Sequence, residues 1–442
     1  MKISSKLLTV LVLMLALASC APKNGELTKA QMREDVAYFF TSFLETHPNP
    51  YCRATPKQVD SIKTALLQKI DKGLTKEEFL NELGKLNGLL DGHSYIASPL
   101  LELTDKDTCF LPPIVQINSD LTLSINNKLL PKENTIVSIN GIPSWKLLSM
   151  FGKMLNSDPN VVKRTAIEPN FPTLLARSGI LSPYTIKVRT CQGDTSMNVK
   201  GSQPVTYSRE IRSLQGQLNG VGLNSSIYQK SKLAILYFNT CSTNDEAKYK
   251  KTIDDFFAAI QKSGIKYLFI DNSRNDGGSS KWGVYLISKI NHIKYQPSFY
   301  ARIKESKASK TINIKESIGL LRNTVPAVTN GFNGKVYMLL SRHCFSAGSD
   351  AAWYFRFAKV GKIFGEKSGS SNPMYVCSAE FTFPNCKLNF RLSVREGGYI
   401  SFQDKKMVFL KEPEPDVPFN INPFKTSYTE QELLALLRLA DK

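Results

Sequence analysis

Apolar and polar positions along this chain fall into three successive regimes. Over residues 27–98 the apolar positions recur at helical spacing, with Ala37, Phe40, Phe43 and Leu44 forming one stripe. Start signals mark three helices there: Leu27-Thr28, the region of Pro56, and Thr75 followed by Lys76-Glu77-Glu78, where acidic residues suit a first turn. Residues 105–202 switch to short β segments at 114–117, 121–125, 135–139 and 184–188. From residue 230 onward, apolar strands at 233–238, 267–270, 336–340 and 363–364 alternate with helical runs, one of them over 245–262. Such alternation predicts an α/β sheet.

Length and composition fit that division. A chain of 442 residues, 42% hydrophobic, can build about two to three packed domains. The expected units are a helical subdomain over 27–98, a β module over 105–205 and an α/β domain over 215–430. Ahead of them, Met1-Lys2-Ile3-Ser4-Ser5-Lys6 and an apolar run over 7–18 read as an export signal, too short for a spanning helix. Leu17-Ala18-Ser19-Cys20 resembles a bacterial lipobox, so residues 1–20 are expected to be a lipoprotein signal peptide. Acylated Cys20 would then anchor an exported protein at a membrane, on the periplasmic or outer-membrane face.

With Cys20 set aside, seven of the eight cysteines remain, and none forms a C-x-x-C pair. That spacing argues against a zinc site. Export permits disulfides, and Cys377 and Cys386 flank a strand-like segment and are candidates for a bond. The net charge of +19 is spread along the chain without an Arg-rich arm or an aromatic-interleaved basic motif. Nucleic acid is therefore not an expected partner. A solvated Lys-rich surface, or weak attraction to anionic lipid or acidic peptide, accounts for the charge.

Three segments carry candidate chemistry. Ser346 lies where the strand 336–340 gives way, through Ser341-Arg342-His343-Cys344-Phe345, to a helical run over 351–358. A hydroxyl at such a junction faces helix N–H groups, and the next backbone N–H can hold an oxyanion. The plain alternative is a Ser N-cap. The second segment, Asp271-Asn272-Ser273-Arg274-Asn275-Asp276-Gly277-Gly278, is a buried strand ending in a polar turn with paired glycines, which can expose N–H donors to a ligand. Alone it is an ordinary strand-to-helix loop. The third, Leu89-Leu90-Asp91-Gly92-His93-Ser94-Tyr95, ends the helical block; the chain has only four histidines, so few general bases are available.

Taken together and in this order, these segments resemble peptidase family S41, the C-terminal processing and tricorn-core serine peptidases. Ser346-Ala347-Gly348-Ser349-Asp350 matches the family's strand-to-helix motif, and Lys362-Ile363-Phe364-Gly365-Glu366 its next strand. The resemblance spans roughly residues 30–425. It implies a ClpP/crotonase-like α/β spiral for 215–430, and a PDZ-like module for 105–205, where residues 136–143 resemble the PDZ strand and its Asn-Gly turn. PDZ domains bind extended peptides by strand addition; a degenerate module that only packs on the catalytic domain is the alternative. No metal or organic cofactor is implied, and the expected partner is a peptide or unfolded protein substrate.

The family has two catalytic branches. In one, a Lys beyond the Gly-Glu turn is the base; that position falls on Ser371, and Lys367 lies on the wrong side of the turn. The tricorn-like branch takes its base from a D-G-H-(S/T) motif, which Asp91-Gly92-His93-Ser94 matches. A neutral imidazole is also the better base near neutral pH. The resemblance thus implies Ser346 as nucleophile and His93 as base, with oxyanion donors at the N–H of Ala347 and of Gly277 or Gly278. His343 reads as structural. In that branch a Glu near the C-terminus orients the His; here its position falls on Phe409, leaving Glu412 and Glu414 as candidates. That departure supports an alternative function, an inactive S41-like lipoprotein that only binds peptides. An esterase is disfavoured because no G-x-S-x-G elbow is present.

Overall fold

The computed structural model describes residues 26–97, 115–118, 122–125, 135–155, 164–203, 222–290, 292–311, 319–322, 324–421 and 425–440. The expected signal segment and Cys20 lie outside the described residues. Helices α1 (Lys29–Thr46), α2 (Pro56–Lys72) and α3 (Lys76–Lys85) each open on a capping box, Thr28 with Gln31, Thr55 with Gln58 and Thr75 with Glu78. Each box satisfies two N–H groups that the helix cannot. The buried stripe of α1 is Met32, Val36, Phe39, Phe40 and Phe43, whereas Ala37 faces solvent. The expected stripe was therefore rotated: Phe39, not Ala37, completes the 3.6-residue period. A short helical turn and β1 (Tyr95–Ile96) follow.

The second unit contains β2 (Val115–Ile117), β3 (Leu123–Ile125), β4 (Thr135–Ile139), β5 (Ile142–Pro143), α4 (Ser144–Gly152), α5 (Arg164–Arg177), β6 (Tyr184–Thr190) and β7 (Gly193–Val199). Its antiparallel sheet runs β2-β3-β4-β6-β7, with β5 returning along β4 after a tight Asn140-Gly141 turn. Both turn residues have positive φ, 48° and 75°, which Asn and Gly tolerate best. The strands pack on α4 and α5 around Phe151, Phe171 and Tyr184, a core separate from the rest. The helices were not expected from the sequence; the prolines inside α5 hide its pattern.

The third unit opens with β8 (Leu223–Tyr228), β9 (Leu233–Phe238), α6 (Glu246–Lys262), β10 (Tyr267–Asp271), α7 (Lys281–Ile287), β11 (Ser298–Ile303) and β12 (Gly319–Arg322). It continues through β13 (Lys335–Leu340), α8 (Ala347–Phe357), β14 (Gly361–Gly365), β15 (Met374–Thr382), β16 (Asn389–Gln403), β17 (Lys406–Phe409), β18 (Val417–Pro418) and α9 (Glu430–Ala440). One sheet has the order β18-β14-β13-β10-β9-β8 and is parallel except for β8. Every residue of β9 is buried, which follows from helices covering both faces: α6, α7 and α8 on one, α9 on the other. A second sheet is organised around β16, which pairs with β1, β11, β15 and β17. Its residues Phe390 and Leu392 join the core of α1–α3, so the helical block is fastened to β16.

Cys377 on β15 and Cys386 are not joined to each other by a disulfide. Cys377 lies on β15, five residues before the last hairpin pair Thr382–Asn389, and Cys386 lies in the turn beyond it. At about 3.3 Å per strand residue they are too far apart for a disulfide, which needs Cα atoms within about 7 Å.

Candidate active site

Strand β13 hands the chain to α8 through residues 341–346, and the paired-glycine loop after β10 grips that turn. The Ser341 hydroxyl donates to the Ser273 carbonyl at 2.5 Å, Phe345 N–H to the Asn275 carbonyl at 2.8 Å, and the Asn272 amide to the Gly348 carbonyl at 2.9 Å. Gly348 has no room for a side chain, since a Cβ there would lie 2.3 Å from the Asn275 carbonyl oxygen. Held in this way, Ser346 adopts φ 53° and ψ −126°, a conformation L residues rarely take. Such strain persists only where the surroundings impose it. Ser346 is the N-terminal flanking residue of α8, yet its side chain makes no capping hydrogen bond. The plain N-cap reading fails for that reason. Its N–H is spent on the Ser370 hydroxyl at 2.7 Å.

The sequence left Gly277 and Gly278 as equal donors, and the structure separates them. The Gly277 N–H donates to Asn275 Oδ1 at 3.0 Å and is occupied. Gly277 serves instead by close approach: a Cβ on it would fall 2.8 Å from the Ser346 Cβ and 3.1 Å from the Ala347 nitrogen. Gly278 has φ 127° and lines the cavity with Ser346. Among the described residues the N–H groups of Gly278 and Ala347 meet no acceptor. Gly278 shares the cavity with Ser346, and Ala347 is the residue that follows it.

A cavity of about 770 Å³ opens over Ser346. Its walls are mainly apolar, among them Phe299, Leu321, Val325, Met374 and Val376, with Asp350, Arg395 and Tyr399 as polar members. The Asp350 carboxylate accepts from the Ser280 hydroxyl at 2.6 Å and the Tyr399 hydroxyl at 3.1 Å. None of Ser280, Arg395 and Tyr399 was singled out from the sequence; Arg395 and Tyr399 come from β16, whose periodicity is obscured by buried polar residues.

His93 lines the same cavity, more than two hundred residues from Ser346 in the chain. Its ring stacks on Phe345, centroids 4.6 Å apart at 27°, which places it beside the residue preceding Ser346. Among the described residues neither ring nitrogen meets a partner in hydrogen-bond geometry. Burial holds the imidazole pKa below its ordinary value; the Asp91 charge pulls it up, Arg391 pushes it further down, and the nearby Tyr375 backbone favours the charged ring weakly. His93 is therefore neutral and unengaged around neutral pH.

The other candidates fall elsewhere. Glu412 accepts the Asn372 N–H at 2.8 Å, and Glu414 forms an exposed pair with Lys367 at 2.7 Å. Neither is among the hydrogen-bond partners described for His93. Lys367 is half exposed in that pair, far from the burial that deprotonation would need. Ser371 donates to the Pro373 carbonyl at 2.7 Å. His343 contacts Glu168 of α5 at 2.8 Å, and Arg342 reaches the same carboxylate and Glu366. Burial pushes the Glu168 carboxyl up, but His343 and Arg342 outweigh it and hold the pKa below the ordinary range. His343 thus ties the turn before Ser346 to the second unit.

Comparison with known proteins bears on the family and the fold. Residues 232–388 match the family model for peptidase family S41. No curated protein matches the chain in sequence. Among solved structures, mature CPAF superposes with a TM-score of 0.57 at 13% identity, covering 88% of this chain and 92% of that one. Mature CPAF complexed with lactacystin gives 0.58 at 13% identity, over 94% and 99%. A photosystem II D1 C-terminal processing protease gives 0.43 at 11% identity, over 88% and 93%. At such identities the two CPAF structures establish likeness of fold alone.

Proposed function

Because its domain at residues 232–388 makes this chain a member of peptidase family S41, we propose that it is an exported serine peptidase that cleaves peptide bonds by acyl transfer. Ser346 attacks the scissile carbonyl while His93 takes the hydroxyl proton. The N–H groups of Ala347 and Gly278 receive the oxyanion, and His93 returns the proton to the leaving amine. The observation that carries this reading is the strained Ser346, uncapped, beside two unengaged N–H donors and a neutral, unengaged imidazole on one cavity. The same features oppose the inactive, peptide-binding alternative, since a mere binding site has no need of a strained hydroxyl. The third unit is taken as a ClpP/crotonase-like spiral and the 105–205 region as a PDZ-like module, with the antiparallel strands and two helices among its described residues in its favour.

A fluorophosphonate probe tests the chemistry, because only an activated serine reacts. Labelling of the intact protein, with mass mapping of the modified peptide to Ser346, is the expected result; no labelling, or labelling at another serine, would reject the mechanism.

We further propose a membrane anchor through Cys20, supported by the lipobox-like Leu17-Ala18-Ser19-Cys20. Among the described residues no helix is long and apolar enough to cross a membrane. Cys20→Ser is expected to move the protein from the membrane fraction to the soluble fraction. Retention in the membrane pellet after a high-salt wash would contradict anchoring through Cys20.

A further inference from the structure

His47 and Asp91 are an acid–base pair with no exposed side-chain surface, 44 residues apart and outside the roles assigned above. His47 caps the end of α1, and its Nε2 lies 2.9 Å from Asp91 Oδ2. The N–H of Asn49 donates to His47 Nδ1 at 3.1 Å. That bond requires a lone pair on Nδ1, so Nε2 carries the proton and donates to Asp91. The tautomer is set by the chain.

Asp91 uses its other oxygen on the turn that carries His93. Oδ1 accepts the His93 N–H at 2.7 Å, the Ser94 N–H at 3.2 Å and the Ser393 hydroxyl at 3.1 Å. The Ser94 hydroxyl closes onto Oδ2 and in turn receives the Ser393 N–H at 2.8 Å. Burial pushes the Asp91 carboxyl up, but His47, Ser94 and the His93 N–H outweigh it and keep the group ionised. One carboxylate therefore joins α1, the His93 turn and β16, the strand that also supplies Arg395, Gly397 and Tyr399 to the cavity.

We propose that His47 and Asp91 are positioning residues for His93: the imidazole of α1 fixes the Asp91 carboxylate, which fixes the backbone from which the His93 ring projects over Ser346. This inference rests on His93 being the general base. It answers the empty Glu position at Phe409, because orientation comes through the main chain of the His and not through its ring. Besides Asp91, the charges facing His93 are Arg391 on β16 and, around the cavity, Arg395 and Asp350; Cys377, Tyr354 and Tyr399 are further titratable groups on the cavity wall.

The test uses the full chain with Asp91→Asn, His47→Phe and His47→Gln. Asn keeps an acceptor for the His93 N–H, but presents an amide N–H to His47 Nε2–H and loses the charge. Gln retains an N–H that reaches Asp91; Phe does not. The first readout is the set of isotope-labelled histidine ring signals in an otherwise inactive Ser346→Ala background, with His93 assigned by its own substitution. The His93 resonance is expected to shift in Asp91→Asn and His47→Phe, its titration midpoint to fall in Asp91→Asn, and His47→Gln to resemble the parent. In the active background kcat is expected to drop on the order of 100-fold in the first two variants with KM nearly unchanged, since small misplacements of a catalytic group cost about that much. His47→Gln is expected to recover most of the loss. An unmoved His93 signal in folded Asp91→Asn, or His47→Gln as impaired as His47→Phe, would overturn the proposal. If His47→Phe does not fold by thermal melting, Asp91→Asn and His47→Gln still decide. A moved signal with unchanged kcat would leave the positioning intact and instead reject His93 as base.

Discussion

Ser346→Ala is expected to abolish hydrolysis and fluorophosphonate labelling while leaving the fold and its thermal transition nearly intact. Loss of the nucleophile in well-studied serine hydrolases lowers kcat on the order of 10⁶-fold. The fold should not suffer, because the Ser346 side chain makes no capping bond and the turn is held by backbone and neighbouring groups from the 271–278 loop. Alanine at φ 53° carries the same backbone strain as serine, so relief or addition of strain is not expected either. A peptidase assay and a thermal melt on the same preparation decide the matter. A folded variant with undiminished turnover would remove Ser346 from the mechanism; an unfolded one would show that the hydroxyl is structural.

Much of this site was legible in the sequence because its parts sit on elements with strong local signals. The strand-to-turn-to-helix junction around Ser346 is announced by Lys335–Leu340 ahead of it, and parallel strands buried on both faces read as continuous apolar runs. The helix starts read near Thr28, Pro56 and Thr75 fall at the capping boxes of Thr28, Thr55 and Thr75. What failed was long-range. In β16 the buried set includes Ser393, Arg395 and Glu396, so neither strict alternation nor a uniform apolar run advertises a strand of 15 residues. Polar groups there are tolerable only because partners arrive from elsewhere: Arg302 of β11 meets Glu396, and Ser94 and Asp91 meet Ser393. For the same reason His47 passed as one of four histidines. Nothing local says that Asp91 waits for it 44 residues later. The choice between Gly277 and Gly278 likewise depended on which N–H Asn275 occupies, a fact of loop conformation.

His93→Ala is expected to remove most of the rate, together with the acidic limb of the pH profile. General-base assistance contributes about 10²–10⁴-fold. Lys367 is engaged with Glu414 at the surface, and Glu412 with Asn372. For the parent enzyme the sign of the pH dependence follows from burial. Only neutral imidazole can accept the Ser346 proton, and burial disfavours the imidazolium, so the His93 pKa lies below the ordinary value of about 6.5. Activity is therefore expected to be level from about pH 7 upward until other groups titrate, and to fall as pH drops through a single step on the acid side of 6.5. A profile of kcat/KM against pH reports that step for the free enzyme. Lys367→Ala should leave it in place. A profile that keeps rising well above pH 8, or a step that survives His93→Ala and vanishes with Lys367→Ala, would transfer the role of base to the lysine. The absence of a ring hydrogen bond in the resting structure does not weaken the assignment, because such contacts tighten when substrate closes the site. The stacking on Phe345 already holds the ring next to the turn that presents the nucleophile, on the cavity that Ser346 also lines.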